Sequence, residues 1–329
     1  MEKLMFNCKP LAAAILTVFA THAFANYDTS TQEQTGDNNL ATVTQNNGLY
    51  NTGRNVAEQY QAGNNGSVEI YQETDSFAKA VQTQTGTSDS NTLYAKQFAT
   101  VGNSFSEQIQ TNGSANTAEI YQQHSTSVEA FQSQDGSNNL ASVDQYGETG
   151  SLVRTYQEGN WNDGSVVQRS GAGNEGNLQQ YGDYNNGSIT QNGSTDSIAF
   201  GIQSGEGNDL TATQTGVANE LFFTQDGDYN NATLAQNGND NSIVGMSMGD
   251  SHNVDIVQDG DSLTADVLQM GGSDNTVDID QAGAEQFASV TQTGGAYNLA
   301  TIVQNDMQAN QAFILQSGTG NSAFVTQTQ

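Results

Sequence analysis

Residues 134–145 read QDGSNNLASVDQ, residues 203–214 read QSGEGNDLTATQ, and residues 225–236 read QDGDYNNATLAQ. The three share one frame, Q-x-G-x-x-N-x-φ-x-φ-x-Q, in which φ is an apolar residue. Gln134, Gln203 and Gln225 open the units; Asn139, Asn208 and Asn230 sit at the sixth place; Gln145, Gln214 and Gln236 close them. Working outward, glutamine recurs at 157, 168, 180, 191, 258, 269, 281, 292, 304, 316 and 327, with Ser247 in one slot, always after 11 or 12 residues. A fixed period sustained over so many units means a repeat architecture. The same frame fits residues 34–45 (QTGDNNLATVTQ) and 61–72 (QAGNNGSVEIYQ), but the units between residues 34 and 133 are spaced less evenly. There a doublet, Q-x-Q-x-G, marks each turn, at Gln32/Gln34, Gln59/Gln61, Gln82/Gln84 and Gln132/Gln134. The string EIYQ, at Glu69 and again at Glu119, reads as duplication of a two-rung unit.

The stretch N-x-φ-x-φ-x-Q alternates with period two, the signature of a strand. Asn39, Ala41, Val43 and Gln45 fall on one face, as do Asn321, Ala323, Val325 and Gln327. A helix is excluded by that period and by a glycine in nearly every unit. The glycines two places after glutamine (Gly36, Gly136, Gly159, Gly182, Gly205, Gly216, Gly227, Gly238 and Gly318) mark corners, where a positive φ is free of steric cost. The asparagine three places on, as at Asn162, Asn185 and Asn219, is expected to share that conformation and to hydrogen-bond locally. Two strand-and-corner units make one rung. The expected fold is all-β: a β-solenoid of about 13 strand-turn-strand rungs forming two facing parallel sheets, roughly 60 Å long. Each glutamine, from Gln34 and Gln45 through Gln180 and Gln214 to Gln316 and Gln327, then stacks on an equivalent one, and the glutamine amides, with those of the repeat asparagines from Asn39 to Asn321, form self-assembly ladders.

The start of the chain reads differently. Lys3 and Lys9 precede an apolar run, Leu11 to Ala20, and an A-x-A site at Ala23–Ala25. Residues 1–25 are therefore expected to be a secretory signal peptide, too short for a membrane span. Residues 26–33 form a short N-terminal segment, and residues 34–329 the repeat array, irregular over 34–133 and regular over 134–329. The single cysteine, Cys8, and the single proline, Pro10, both lie in the leader. Its removal leaves 35 acidic and 5 basic residues, and the basic ones (Arg54, Lys79, Lys96, Arg154 and Arg169) all precede residue 170. Such a chain has no electrostatic grip on nucleic acid.

With those motifs in view, the chain resembles the curlin repeat, S-x5-Q-x-G-x-x-N-x-A-x3-Q, of bacterial curli subunits. The strings at 34–45, 134–145 and 316–327 carry the resemblance. It implies a structural subunit of an extracellular amyloid-like fibre serving biofilm matrix and cell adhesion. It also implies passage through the periplasm and an outer-membrane export pore, and polymerisation templated by a nucleator subunit. The last repeats lack basic residues, which resembles the major subunit. The principal partner expected is a second copy of the chain.

The remaining residues offer little chemistry. His124 and His252 are far apart in the array and are expected at surface or corner positions, with no metal or catalytic cluster between them. The carboxylates fall mostly at the x positions, which face solvent. No cofactor is implied, and the chain does not read as an enzyme. Trp161, Tyr184, Tyr229 and Tyr297 each precede the repeat asparagine at one corner, where a one-sided stripe could stack on a glycan or host-surface ligand. The rival reading is a monomeric secreted β-solenoid, an adhesin or an ice- or glycan-binding protein.

Overall fold

A strand that buries alternate side chains is stable only beside a neighbour offering the same alternation in the same register. The computed structural model describes residues 28–46, 54–73, 77–86, 89–306 and 309–328, and it answers that requirement by coiling. Among the described residues there are 26 strands, from β1 (Thr29–Thr35) to β26 (Ser322–Thr328), and no helix. Odd-numbered strands form one 13-stranded sheet, A, and even-numbered strands a second, B. Neighbours in a sheet are always two strands apart in sequence and run parallel, so the chain is a solenoid whose rung is one A strand and one B strand.

Glutamine lies over glutamine throughout. Between β11 (Leu152–Asn160) and β13 (Glu175–Asp183), Gln157 pairs with Gln180; between β12 (Asp163–Arg169) and β14 (Asn186–Asn192), Gln168 pairs with Gln191. The step from one ladder glutamine to the next is 27 residues at Gln34 and 26 at Gln84, but settles to 23 from Gln134 and 22 at Gln214. The irregular spacing of the first units is thus absorbed in the corners, while the strands keep register. Strands β4 (Ser67–Glu73) and β8 (Thr117–Gln123), which carry the two EIYQ strings, are two rungs apart in sheet B, with β6 (Thr92–Phe98) between them.

The core between the sheets is thin and built of inward Ala, Val, Ile and Leu, nearly all fully buried. Because it is only two side chains deep, volume is balanced rung by rung. Phe223 is the largest fully buried side chain, and its ring lies where a Cβ on Gly245 of the next rung would be.

Two expectations need correction. Strand β1 begins at Thr29 and pairs with β3 (Val56–Ala62), so most of the 26–33 segment belongs to the solenoid. Its TSTQEQT alternates like any other strand and supplies Gln32. The corner conformation also falls elsewhere than expected. Positive φ occurs at the corner glycines and at the residue just before the repeat asparagine, as at Asn38, Asn138, Trp161, Tyr184, Ala218 and Tyr229. The repeat asparagine itself is extended, since it must enter the strand with its amide turned inward. The signal-peptide reading, with Cys8 and Pro10, lies outside the described residues.

Candidate functional site: the amide ladders

Most ladder glutamines use both hydrogens of Nε2. Gln157 donates to Oε1 of Gln180 in the next rung (2.8 Å) and to the backbone oxygen of Leu140 across the core (2.7 Å). Gln180 repeats this with Gln203 and Asp163, and Gln214 with Gln236 and Ile198. One amide therefore ties two rungs along the axis and two sheets across it. The chains of bonds run Gln34–Gln61–Gln84–Gln110–Gln134 and onward in sheet A to Gln316, with one break before Ser247, and Gln45–Gln72–Gln97–Gln122–Gln145 and onward in sheet B to Gln327. Every link has the same sense: the earlier rung donates and the later rung accepts.

The repeat asparagines form a second set of ladders. Asn139 Nδ2 donates to the carbonyl of Gly159 in the next rung (2.8 Å), and its Oδ1 accepts the backbone N–H of Asn162 (2.9 Å). Asn162, Asn185, Asn208, Asn219 and Asn230 make the same bond to Gly182, Gly205, Gly227, Gly238 and Gly249. At the first rung Asn39 bonds Gly63, and at the last Asn321 is held by Asn298. These bonds run between rungs; the added bonds to the carbonyl four residues earlier, as from Asn185 to Tyr181, are local. Buried amides left without partners would cost about 1–3 kcal/mol each, which explains why Gln and Asn hold these slots.

Two departures stand out. The glutamine doublets add a third ladder, Gln32–Gln59–Gln82–Gln108–Gln132, in the slot that later rungs fill with Leu178, Phe223 or Val267. Each of its members from Gln59 on also donates across the core, Gln59 to Thr42 and Gln132 to Glu119. The ladder stops at Thr155, whose buried hydroxyl has no partner. The other departure is Ser247 in β19 (Ser242–Asp250). Its hydroxyl donates to Gln269 (3.0 Å), but Nε2 of Gln225 below it donates only across the core, to Asp209. The short side chain interrupts the sheet A ladder.

Two titratable groups lie inside corners. Glu148 is buried, with Oε2 accepting from Ser151 Oγ (2.7 Å) and Asn174 Nδ2 (3.2 Å), while Oε1 has no partner. Burial pushes its carboxyl above the usual range, against the pull of those hydrogen bonds. It fits because Gly171, next in its column, leaves the room. Most carboxylates were expected to face solvent; aligning residues 145–151 with 168–174 puts Glu148 in a column of small residues, the one signal that marks it. His252 stands in a repeat-asparagine slot and is buried at the corner. Its N–H bonds Asn230 Oδ1 (2.9 Å), and its Nδ1 accepts from Asn275 N–H (3.2 Å). Burial lowers its pKa. His124 is exposed at another corner, between the rings of Phe98 and Tyr146.

These shifts have opposite consequences. Glu148, Asp163, Asp266 and Asp278 are all raised by burial, so their contribution is present below the unfolded carboxylate pKa and is lost as pH rises through the folded values. His252 is lowered, so its contribution is present above about pH 6.5 and is lost as pH falls through its folded value. Denaturant midpoints at pH 7 and pH 5 separate the two. Glu148→Gln is expected to raise the midpoint at pH 7 and shrink the gain on acidification. His252→Asn, which restores the repeat residue, is expected to enlarge that gain. An unchanged pH 7 to pH 5 difference in both variants would refute the assignment.

The outer surface carries aromatic groups. Trp161 and Tyr184 are stacked one rung apart (6.2 Å between centroids, 3° between planes), and Tyr229 covers Gly207. On sheet A a groove of about 320 Å3 is lined by Phe131, Arg154, Tyr156, Asn177, Gln179 and Tyr181. The described residues bring together no set of three or more His, Cys, Asp or Glu side chains able to hold a metal ion.

Against known proteins, residues 218–244, 249–283 and 272–305 match the family model described as the curlin associated repeat. All three segments lie among the evenly spaced rungs; the glutamine-doublet rungs are not matched. No curated protein matches the chain.

Proposed function

From the ladders and from the three segments that match the curlin associated repeat, we propose that the chain is the structural subunit of an extracellular curli-type amyloid fibre, grown by stacking solenoids end to end. The observation that carries this is the uniform sense of the glutamine ladders. A rung that donates upward and accepts from below is the same at every level, so the last rung presents what the first rung takes. At one end are the Nε2 groups of Gln316 and Gln327; at the other are the Oε1 groups of Gln34 and Gln45. Among the described residues, no strand pairs with the outer edges of β1, β2 (Leu40–Asn46), β25 (Gln311–Ser317) or β26. Such edges are templates for another strand. In the proposed junction β25 meets β1 and β26 meets β2, with Gln316 over Gln34 and Gln327 over Gln45. This contact is heterologous and unclosed, which gives filaments. The leader read in residues 1–25 fits secretion, and the family suggests an outer-membrane export pore and a nucleator as partners in biofilm matrix and adhesion.

The protein without residues 1–25 is expected to form unbranched fibres by electron microscopy, with a meridional reflection at about 4.8 Å. Monomers alone, after days at high concentration and moderate salt, would reject the proposal. Charge sets the conditions. Asp183, Glu206, Asp228 and Asp250 stack on one corner in successive rungs, and no Lys or Arg follows residue 169. Repulsion at every rung is screened beyond about 8 Å at physiological salt. Lag time is therefore expected to shorten with added salt and between pH 7 and pH 5; a lag that ignores both means the carboxylates do not oppose stacking.

The sheet A groove favours a second reading, a glycan-binding solenoid, since aromatic faces beside amide and guanidinium donors suit sugar rings. Retention of the monomer on immobilised oligosaccharides, lost in Tyr156→Ala, would support it; equal retention of both proteins would dismiss it.

A further inference from the structure

The two outer faces of the solenoid are chemically different over its second half. On sheet A, outward positions of β15 (Ile198–Glu206), β17 (Glu220–Asp226), β19 and β21 (Thr264–Ser273) hold Ile202, Phe222, Val244, Met246, Leu268 and Met270. The last strand of the sheet, β25, adds Phe313 and Leu315, 63% and 78% exposed. The carboxylates at the outward positions of these strands are Glu220, Asp226 and Asp266, with Glu206 and Asp250 at the corner ends. Over the same rungs sheet B turns out Asp209, Thr211 and Thr213 from β16 (Asp209–Val217), Asp255, Val257 and Asp259 from β20 (Asn253–Asp261), and Asp278 and Asp280 from β22 (Thr276–Ala284), with Leu299, Val303 and Phe324 on its last two strands.

We propose that the apolar half of sheet A is a lateral interface, on which a second copy of this chain packs by the same face, so that the mature fibre is a pair of solenoids. The proposal rests on the stacking reading given above. Three observations select a second copy as the occupant. A basic partner would be drawn to sheet B, where more of the outward carboxylates are. A second copy carries the same excess of negative charge and approaches most easily where both faces have fewest carboxylates. The patch is also self-complementary in the simplest sense, apolar against apolar, as a two-fold contact requires.

Area then says when pairing occurs. Six rungs at about 4.8 Å and four outward positions per strand give about 600 Å2 on one copy. Stable interfaces bury about 800 Å2 per partner, so isolated monomers fall short. Stacked copies repeat the patch once per chain along the axis, and the contact accumulates with fibre length. Pairing is thus a property of the fibre.

Mass per unit length, measured by scanning transmission electron microscopy, tests this directly. Wild-type fibres are expected at twice the value of one chain per 13 rungs. The double variant Val244→Glu and Met246→Glu, at exposed positions, is expected to keep the 4.8 Å reflection and fall to the single value. Thr211→Glu with Thr213→Glu, adding equal charge on sheet B, is expected to stay doubled. Single-value wild-type fibres overturn the proposal while leaving the stacking reading intact, and so does a sheet A variant that stays doubled. Single-value fibres that cosediment with phosphatidylcholine vesicles, with binding lost in the sheet A variant, assign the face to a lipid surface and overturn it likewise. If no fibres form at all, both readings fall.

Discussion

Replacing Gly159 by alanine is expected to destabilise the solenoid by about 2–5 kcal/mol and to abolish or greatly slow fibre growth. Gly159 turns the corner at the end of β11 with φ of 117°. A Cβ there would lie well inside 3.0 Å of the Gly182 carbonyl, in the rung above. That carbonyl is fixed from its other side by Asn162 Nδ2 at 2.7 Å, so it cannot move away without breaking the asparagine ladder. Any added side chain must wedge two rungs apart, and rung separation is what the whole structure shares. Gly150 is the control. It also has positive φ, 64°, but nothing lies within 4 Å of its would-be Cβ. Gly150→Ala is expected to cost only about 1 kcal/mol of backbone strain. Denaturant midpoints of the two variants should therefore differ clearly; equal midpoints would show that the corner column is not close-packed.

The second large effect is expected at the end of the ladders. Gln316→Ala with Gln327→Ala should slow seeded growth at least about tenfold, with little change in the midpoint of the monomer. In the monomer these amides serve one rung: Gln316 donates to Leu299 and accepts from Gln292, and Gln327 donates to Gln311 and accepts from Gln304. In a fibre they also hold the incoming copy, and each inward amide facing no partner costs about 1–3 kcal/mol. Thr326→Ala, exposed on β26, is the matched control. Thr319 is less suitable, because its hydroxyl accepts the Ala296 N–H. Equal elongation by the double variant and Thr326→Ala would remove the glutamines from the junction.

Much of this was legible from residues 134–145 alone. The period fixed strand length, corner position and the facing of Ala141, Val143 and Gln145, because alternation and glycine placement are local properties. What the sequence hid are properties of the rung. Units repeat every 11 or 12 residues, but a residue's neighbour in space is one rung away, so the local frame mixes the two sheets. Only when alternate units are separated does the second half of sheet A prove the more apolar face and sheet B the more acidic. The same mixing hid the partners of Asn139, which lie in the next rung, and the pocket that Gly171 leaves for Glu148. The doublets were visible as turn markers, but their meaning as a core ladder through Gln59 and Gln132 depends on what faces them across 13 to 17 residues of chain. The residue before Asn162 was read for its aromatic ring; its left-handed backbone follows from the corner's geometry, which no propensity of Trp161 announces.

Ser247 has a mechanical consequence. Where Gln225 and Ser247 fail to join, one of the load-bearing amide chains is cut, and in the same rung the register between β19 and β21 shifts between Met248 and Asp250. A filament pulled along its axis concentrates strain where it has fewest bonds in parallel. That fault recurs once per chain, at about 62 Å intervals for 13 rungs. Shear would therefore break fibres inside subunits, near residue 247, as well as at the junctions between them, and every such break would expose two fresh ends from which growth can resume.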